Sequence, residues 1–149
     1  METYDWVDYC FKGDQSGYVY VALEKNGKFL QKFYKYPEEQ DKIRSVAGNR
    51  KKGNVYFCPA LFSKPSGKSR DVIGSWVSWA DIDHSGRFPD DVPQAGFIVS
   101  SGSPGRTHQY WRASVFQDPL TLVARNYYLA RELRADPSGI DPCQLLRVP

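Results

Sequence analysis

The sequence predicts an α+β domain, and three stretches carry that expectation. Two strand-like runs, Tyr18 to Leu23 and Lys28 to Tyr36, flank Asn26-Gly27, a strong short-range hairpin signal. Pro119 to Arg134 has helical periodicity, with Leu120, Val123, Tyr127, Ala130 and Leu133 expected on the buried face. Trp76 to Asp83 has the composition of a strand and runs into a His-Ser-Gly turn.

The totals bound the answer. A chain of 149 residues suits one domain with a real core. Aromatic residues make up 15% and charged residues 25%, a composition that excludes disorder. The net charge of +3 permits a polyanionic partner without requiring one. No apolar run has spanning length, and acidic and aromatic residues follow Met1, so neither a membrane segment nor a signal peptide is expected. Cys10, Cys58 and Cys143 are odd in number and lack metal-type spacing. The expectation is a reduced, cytoplasmic protein.

Along the chain, Tyr4 to Phe11 reads as a short helix or an edge segment. Pro37 is placed to open a helix that carries Glu38 and Glu39 in its first turn and ends near Gly48. Asn54 to Leu61 is apolar and aromatic, a strand. Phe62 to Arg70 holds Lys64, Lys68 and Arg70 among Pro, Gly and Ser. It reads as a solvated loop, or as a mobile basic loop that touches phosphates; its Gly-Lys-Ser lacks the earlier glycine of a Walker loop. Phe88 to Pro93 is a loop, and Ala95 to Ser100 a short strand. Ser101 to Gly105 is a small-residue turn opening into a further strand through Arg112. Asp118 is placed to cap the long helix.

Asp81 and Asp83 are the first chemical signal. Residues i and i+2 of a strand share a face, so the two carboxylates are expected to aim together at the end of an apolar strand. Like charges so placed repel unless a cation lies between them, and a divalent metal with oxygen ligands fits. Asp-x-Asp is also an ordinary strand ending. The turn at Ser101, Ser103 and Gly105 lets backbone approach a phosphate, Arg106 offers a planar fork, and His108 adds a donor. Asp136 and Arg147 complete a third polar cluster. His84 reads as a turn residue, and Trp76, Trp79, Tyr110 and Trp111 as core. Asp136 and Asp141 both precede proline, and each fits a helix N-cap.

On these residues the sequence resembles the archaeo-eukaryotic primase superfamily, in particular the primase-polymerase domains of plasmid and phage replication proteins. Three motifs carry the likeness in order: Trp79-Ala-Asp-Ile-Asp83, then Ser103-Pro-Gly-Arg-Thr-His108 with the aromatic strand after it, then Ala135-Asp136 with Leu146-Arg-Val-Pro149. The match covers 54–149, a motif-bearing core, and only loosely the hairpin and helix of 1–53.

The resemblance implies a mostly antiparallel sheet of the RNA-recognition-motif type, flanked by helices, with a smaller N-terminal α/β unit. It implies template-directed nucleotidyl transfer from nucleoside triphosphates, with Mg²⁺ or Mn²⁺ held by Asp81, Asp83 and Asp136. Arg106, His108, Arg147 and the Ser101 and Ser103 turn would then hold the nucleotide, and a single-stranded or primed DNA would serve as template. The family continues beyond Arg-x-Pro, so the chain reads as a fragment of a longer protein, with any helicase module outside it. Two other classes stay open: a two-metal nuclease on single strands, and a single-strand-binding module without chemistry.

Overall fold

The computed structural model describes residues 5–48 and 53–148. Tyr4 and Pro149, each at the edge of a stretch read above, lie outside them. The fold is α+β: a mostly antiparallel sheet flanked by few helices. The elements are α1 (Trp6–Cys10), β1 (Gly17–Lys25), β2 (Lys28–Tyr36), α2 (Gln40–Gly48), β3 (Asn54–Phe62), β4 (Val72–Ile82), β5 (Phe97–Ser100), β6 (Thr107–Gln117), α3 (Pro119–Glu132) and β7 (Leu146–Arg147). Seven strands form one sheet in the order β2-β1-β3-β4-β6-β5, with β7 laid against β3.

The hairpin closes as expected. Asn26 and Gly27 both take positive φ, 53° and 74°, the mirror-image turn that matches the strands' twist. The Glu24 carboxylate accepts the Gly27 N–H at 2.9 Å and fastens it. The second helix starts later than expected. Pro37 to Glu39 form a turn, and α2 opens at Gln40, because the Glu39 carboxylate turns back to accept the Lys35 N–H at 2.8 Å.

The sheet splits at Gly74. β3 pairs with β4 only at Leu61–Gly74 and Phe62–Val72, and β4 then continues beside β6 alone. Gly74 has φ +147°, and a Cβ there would come within 2.1 Å of the Gln117 carbonyl, so the divergence needs a glycine. The tail after α3 fills the wedge. On the β3 side, β7 pairs Tyr56 with Arg147 and Phe57 with Leu146. On the β4 side, the freed edge is met by side chain and tail: Asn126 Oδ1 accepts the Trp79 N–H at 2.9 Å, and the Asp136 N–H donates to the Asp81 carbonyl at 2.9 Å.

This edge explains why the face of α3 differs from expectation. Asp118 does cap the helix, its carboxylate accepting the Thr121 N–H at 2.9 Å. Ala130 and Leu133 are buried as expected, but the stripe runs through Leu122, Asn126 and Leu129, while Leu120 is 82% exposed and Tyr127 57%. A polar residue in the middle of the stripe hides it from an apolar periodicity, and that residue is there to serve a backbone N–H. Asn126→Ala should therefore lower stability by about 1–3 kcal/mol, the penalty for a buried donor left unpaired. Among the described residues its own Nδ2 has no partner, so the low end of that range is expected in a denaturant titration.

Two buried clusters hold the sheet. The larger packs Trp76, Trp79, Phe57 and Tyr110 with α1 and α2; the smaller packs Ala80 and Ile82 against Leu129 and Leu133. Trp76, Trp79 and Tyr110 are each at most 1% exposed, as core residues should be, whereas Trp111 is half-buried and donates its indole N–H to Pro93.

Candidate active site

Strand register assembles the first part of the site. β4 and β6 pair Asp81 directly with His108, so both side chains project from one face. His108 Nε2 lies 3.6 Å from Asp81 Oδ1. Its Nδ1 accepts the Arg147 backbone N–H at 3.1 Å, so the neutral ring carries its proton on Nε2. Burial, helped by the Arg147 charge, pushes the His108 pKa down to about 4. At neutral pH the pair is thus a neutral N–H facing a carboxylate, not an ion pair.

Asp136 arrives by way of the helix end. Arg134 takes φ +50°, and the Ala135 N–H returns to the Ala130 carbonyl at 2.8 Å, a left-handed closure of α3. The next residue then reaches the free edge of β4. The Asp136 carboxylate caps the short 3₁₀ turn Pro137–Ile140: its Oδ1 accepts from the Ser138 N–H at 2.9 Å and hydroxyl at 2.8 Å. Those bonds hold its pKa below the usual carboxylate range. Ser138 was missed from sequence, although Asp-Pro-Ser fits the cap pattern.

Asp83 lies just past the end of β4 and is exposed, so the strand ends one residue earlier than expected. Burial first, then the charges of Asp136 and Asp83, raise the Asp81 pKa, and Arg106 opposes them. A raised acid pKa means that the folded chain holds this proton more tightly than the unfolded one. The ionised carboxylate at neutral pH therefore subtracts from stability. Arg106 is exposed and lowers both Asp81 and Asp136, so the guanidinium sits within the field of both.

The turn ahead of β6 is closed by the Ser101 N–H to the Arg106 carbonyl at 3.0 Å and the Arg106 N–H to the Ser103 carbonyl at 3.1 Å. Ser103 is exposed and Ser101 half-buried. Gly102, at φ +92°, faces Arg147: a Cβ there would lie 3.3 Å from Nη1. Arg147 also reaches Asn54 Oδ1 at 3.5 Å and lies over the Tyr56 ring at 5.5 Å. An open pocket of about 270 Å³ lies here, lined by Gly53, Asn54, Ser100, Gly102, Arg147 and Val148. A larger one, about 470 Å³, is lined by Gln109, Trp111 and Phe88, on the opposite face of β6 from His108, and takes no part in this constellation.

The other sequence candidates settle into structural roles. His84 Nε2 sits 2.8 Å from the Leu133 carbonyl and its Nδ1 accepts the Gly86 N–H. No helix follows Asp141, so it does not act as the N-cap expected: its carboxylate accepts the Cys143 N–H at 3.1 Å and closes a turn. The basic loop is tied rather than loose. Ser66 bonds the Asp71 carboxylate, Lys64 lies 3.7 Å from it and Arg70 4.0 Å, and the Ser63 N–H reaches the Asp71 carbonyl at 2.8 Å. Asp71 had given no signal in the sequence beyond following a cation.

Among the described residues no group of three His, Cys, Asp or Glu side chains stands ready to hold a metal ion. The donor set still fits one. Three carboxylates offer oxygen only, the preference of a hard divalent cation. After burial, the charges of the other two raise the pKa of Asp81 against the opposing pull of Arg106, so negative charge is concentrated there. Asp83 and Asp136 would have to turn toward Asp81 for all three to bind the same ion.

No protein-family model matches the sequence, and no curated protein matches it. Solved structures do. The archaeo-eukaryotic primase domain of the primase-polymerase of cyanophage S-2L superposes with a TM-score of 0.65 at 13% identity, over 96% of this chain and 77% of that one. The crystal structure of primase RepB′ superposes with a TM-score of 0.63 at 14% identity, over 95% of this chain and 48% of that one. The likeness spans nearly every element described above, and the chain has the archaeo-eukaryotic primase-polymerase fold.

Proposed function

We propose that this chain is a primase-polymerase catalytic domain, which adds nucleotides to a 3′-hydroxyl on a DNA template. The observation that carries the reading is Asp81 at the end of β4, with His108 opposite it and Asp136 bonded to its backbone, on this fold. Asp81, Asp83 and Asp136 would hold Mg²⁺ or Mn²⁺, which would supply charge neutralisation at the triphosphate and a lowered pKa at the attacking hydroxyl. His108 offers a neutral Nε2–H as a phosphate donor, its ring fixed by Arg147. Arg106 and the turn of Ser101 to Gly105 would bind the remaining phosphate oxygens, the guanidinium through its planar fork and the glycines by allowing close approach. Arg147 would hold the nucleotide from the other side of the Gly102 turn.

Extension of a primed template in Mn²⁺ tests this, with ribo- and deoxyribonucleotides supplied separately and a no-primer control. The expected product is a strand lengthened only when nucleotides are present. Shortening of the labelled strand without nucleotides would replace the reading by a two-metal nuclease. A non-catalytic single-strand-binding module is the second reading, favoured by carboxylates that do not form a ready cluster. Its signature is binding that is indifferent to Asp81→Ala, with no extension under any condition.

A further inference from the structure

One face of the N-terminal half of the sheet is aromatic, and is exposed at Phe29. Register pairs Phe29 with Glu24, Gln31 with Ala22, Ala22 with Tyr56, and Tyr56 with Arg147. Cross-strand partners share a face, so Phe29, Tyr56 and Arg147 project from the same side. Ala22 lies between the outer strands and is too small to separate them. The Phe29 and Tyr56 rings meet across it at 6.1 Å between centroids, tilted by 45°. Phe29 is 61% exposed, an unusual place for a phenyl ring. Arg147 lies over the far side of this pair and touches His108 through its backbone. Arg147 thus links the ring pair by contact to His108, whose Nε2 lies 3.6 Å from Asp81.

The same face carries positive charge at its other border. Gly67 lies so close to the Tyr20 ring that a Cβ there would come within 2.7 Å, and Tyr20 stacks on Phe33 at 4.9 Å. This contact seats the loop of Lys64, Lys68 and Arg70 on that side. Two carboxylates border this face: Glu24 is taken by the Gly27 N–H and by Asn54 Nδ2 at 2.8 Å, and Asp71 faces Lys64 and Arg70, so three loop cations are set against one loop carboxylate.

We infer that Phe29 and Tyr56 form a stacking platform for unpaired template bases, with Arg147 on one side and the Lys64 to Arg70 loop on the other. The inference rests on the reading above for the identity of the strand as DNA template. Exposed rings bordered by cations suit a single strand, because every base has a π-face and every nucleotide a phosphate. A duplex hides its base faces, and a protein partner would gain little from cations around an aromatic pair.

The test uses the whole chain, EDTA and no nucleotides, with a fluorescein-labelled oligo-dT as probe. Phe29→Ala and Tyr56→Ala should each weaken binding about tenfold, within the range measured for loss of one base–aromatic stack. Neither removes a charge, so the dependence of affinity on salt should keep its slope. Phe29→Tyr and Tyr56→Phe should bind like the parent. Phe29 is mostly exposed, so its alanine variant should melt unchanged and carries the test even if Tyr56→Ala is unstable. Parental affinity in Phe29→Ala, or no oligo-dT binding by the parent, would overturn the platform. Loss of stacking in a chain that never extends a primer would uphold the platform and overturn only the polymerase reading.

Discussion

Asp81→Asn should abolish nucleotide addition, with a loss of about a hundredfold or more, the scale for removing one group that stabilises developing charge. The substitution keeps the shape and the β4–β6 pairing of Asp81 with His108. It removes the charge that Asp136 and Asp83 disfavour. Melting should therefore stay level or rise, which separates a chemical defect from misfolding. Asp83→Asn should behave alike, with a smaller effect on melting because the residue is exposed. Extension assays and thermal melts on the same preparations decide the matter. Full activity in Asp81→Asn would remove the central claim.

The second large effect concerns Asp136, where one side chain serves two ends. It caps Pro137–Ile140 through Ser138, and its backbone is bonded to that of Asp81. Asparagine caps nearly as well as aspartate, so Asp136→Asn should melt normally and lose activity to a similar degree as Asp81→Asn. Asp136→Ala should lose the activity and also about 0.5–2 kcal/mol of stability, the worth of a cap. Asp141→Ala should lose only the stability, since Asp141 bonds the Cys143 N–H within the tail. A fully active Asp136→Asn would show that the third carboxylate does nothing beyond capping.

Local chemistry was legible in the sequence. Asn26-Gly27, the Asp118 cap and the strand ends at Asp81 and before His108 depend on neighbours a few residues away, and each stands close to where it was read. The misread parts all depend on distant partners. The face of α3 could not be read because Asn126 answers to Trp79, 47 residues earlier. The aromatic pair of Phe29 and Tyr56 was invisible for the same reason: each lies in an unremarkable strand, and only the small Ala22 between them brings the rings together. The basic loop is solvent-exposed, as one of its two readings had it, with Asp71 at its end facing Lys64 and Arg70. The fold expected from the resemblance agrees with the two solved structures, which share 13% and 14% of the sequence.

The split between β3 and β4 has a consequence for how the chain emerges from the ribosome. Asp81 and His108 leave the exit tunnel well before the segment that closes the wedge. Until Asp136 to Arg147 follow, the Asp81 carbonyl on the β4 edge lacks its donor, and the β3 edge at Tyr56 and Phe57 lacks β7. Such an edge recruits other strands. A nascent or clipped chain ending at Ala135 should therefore not merely be inactive. It should self-associate, and its light scattering should climb with concentration while the full chain stays clear. A truncated chain that remained monomeric would mean that Asn126 alone is enough to shield the edge.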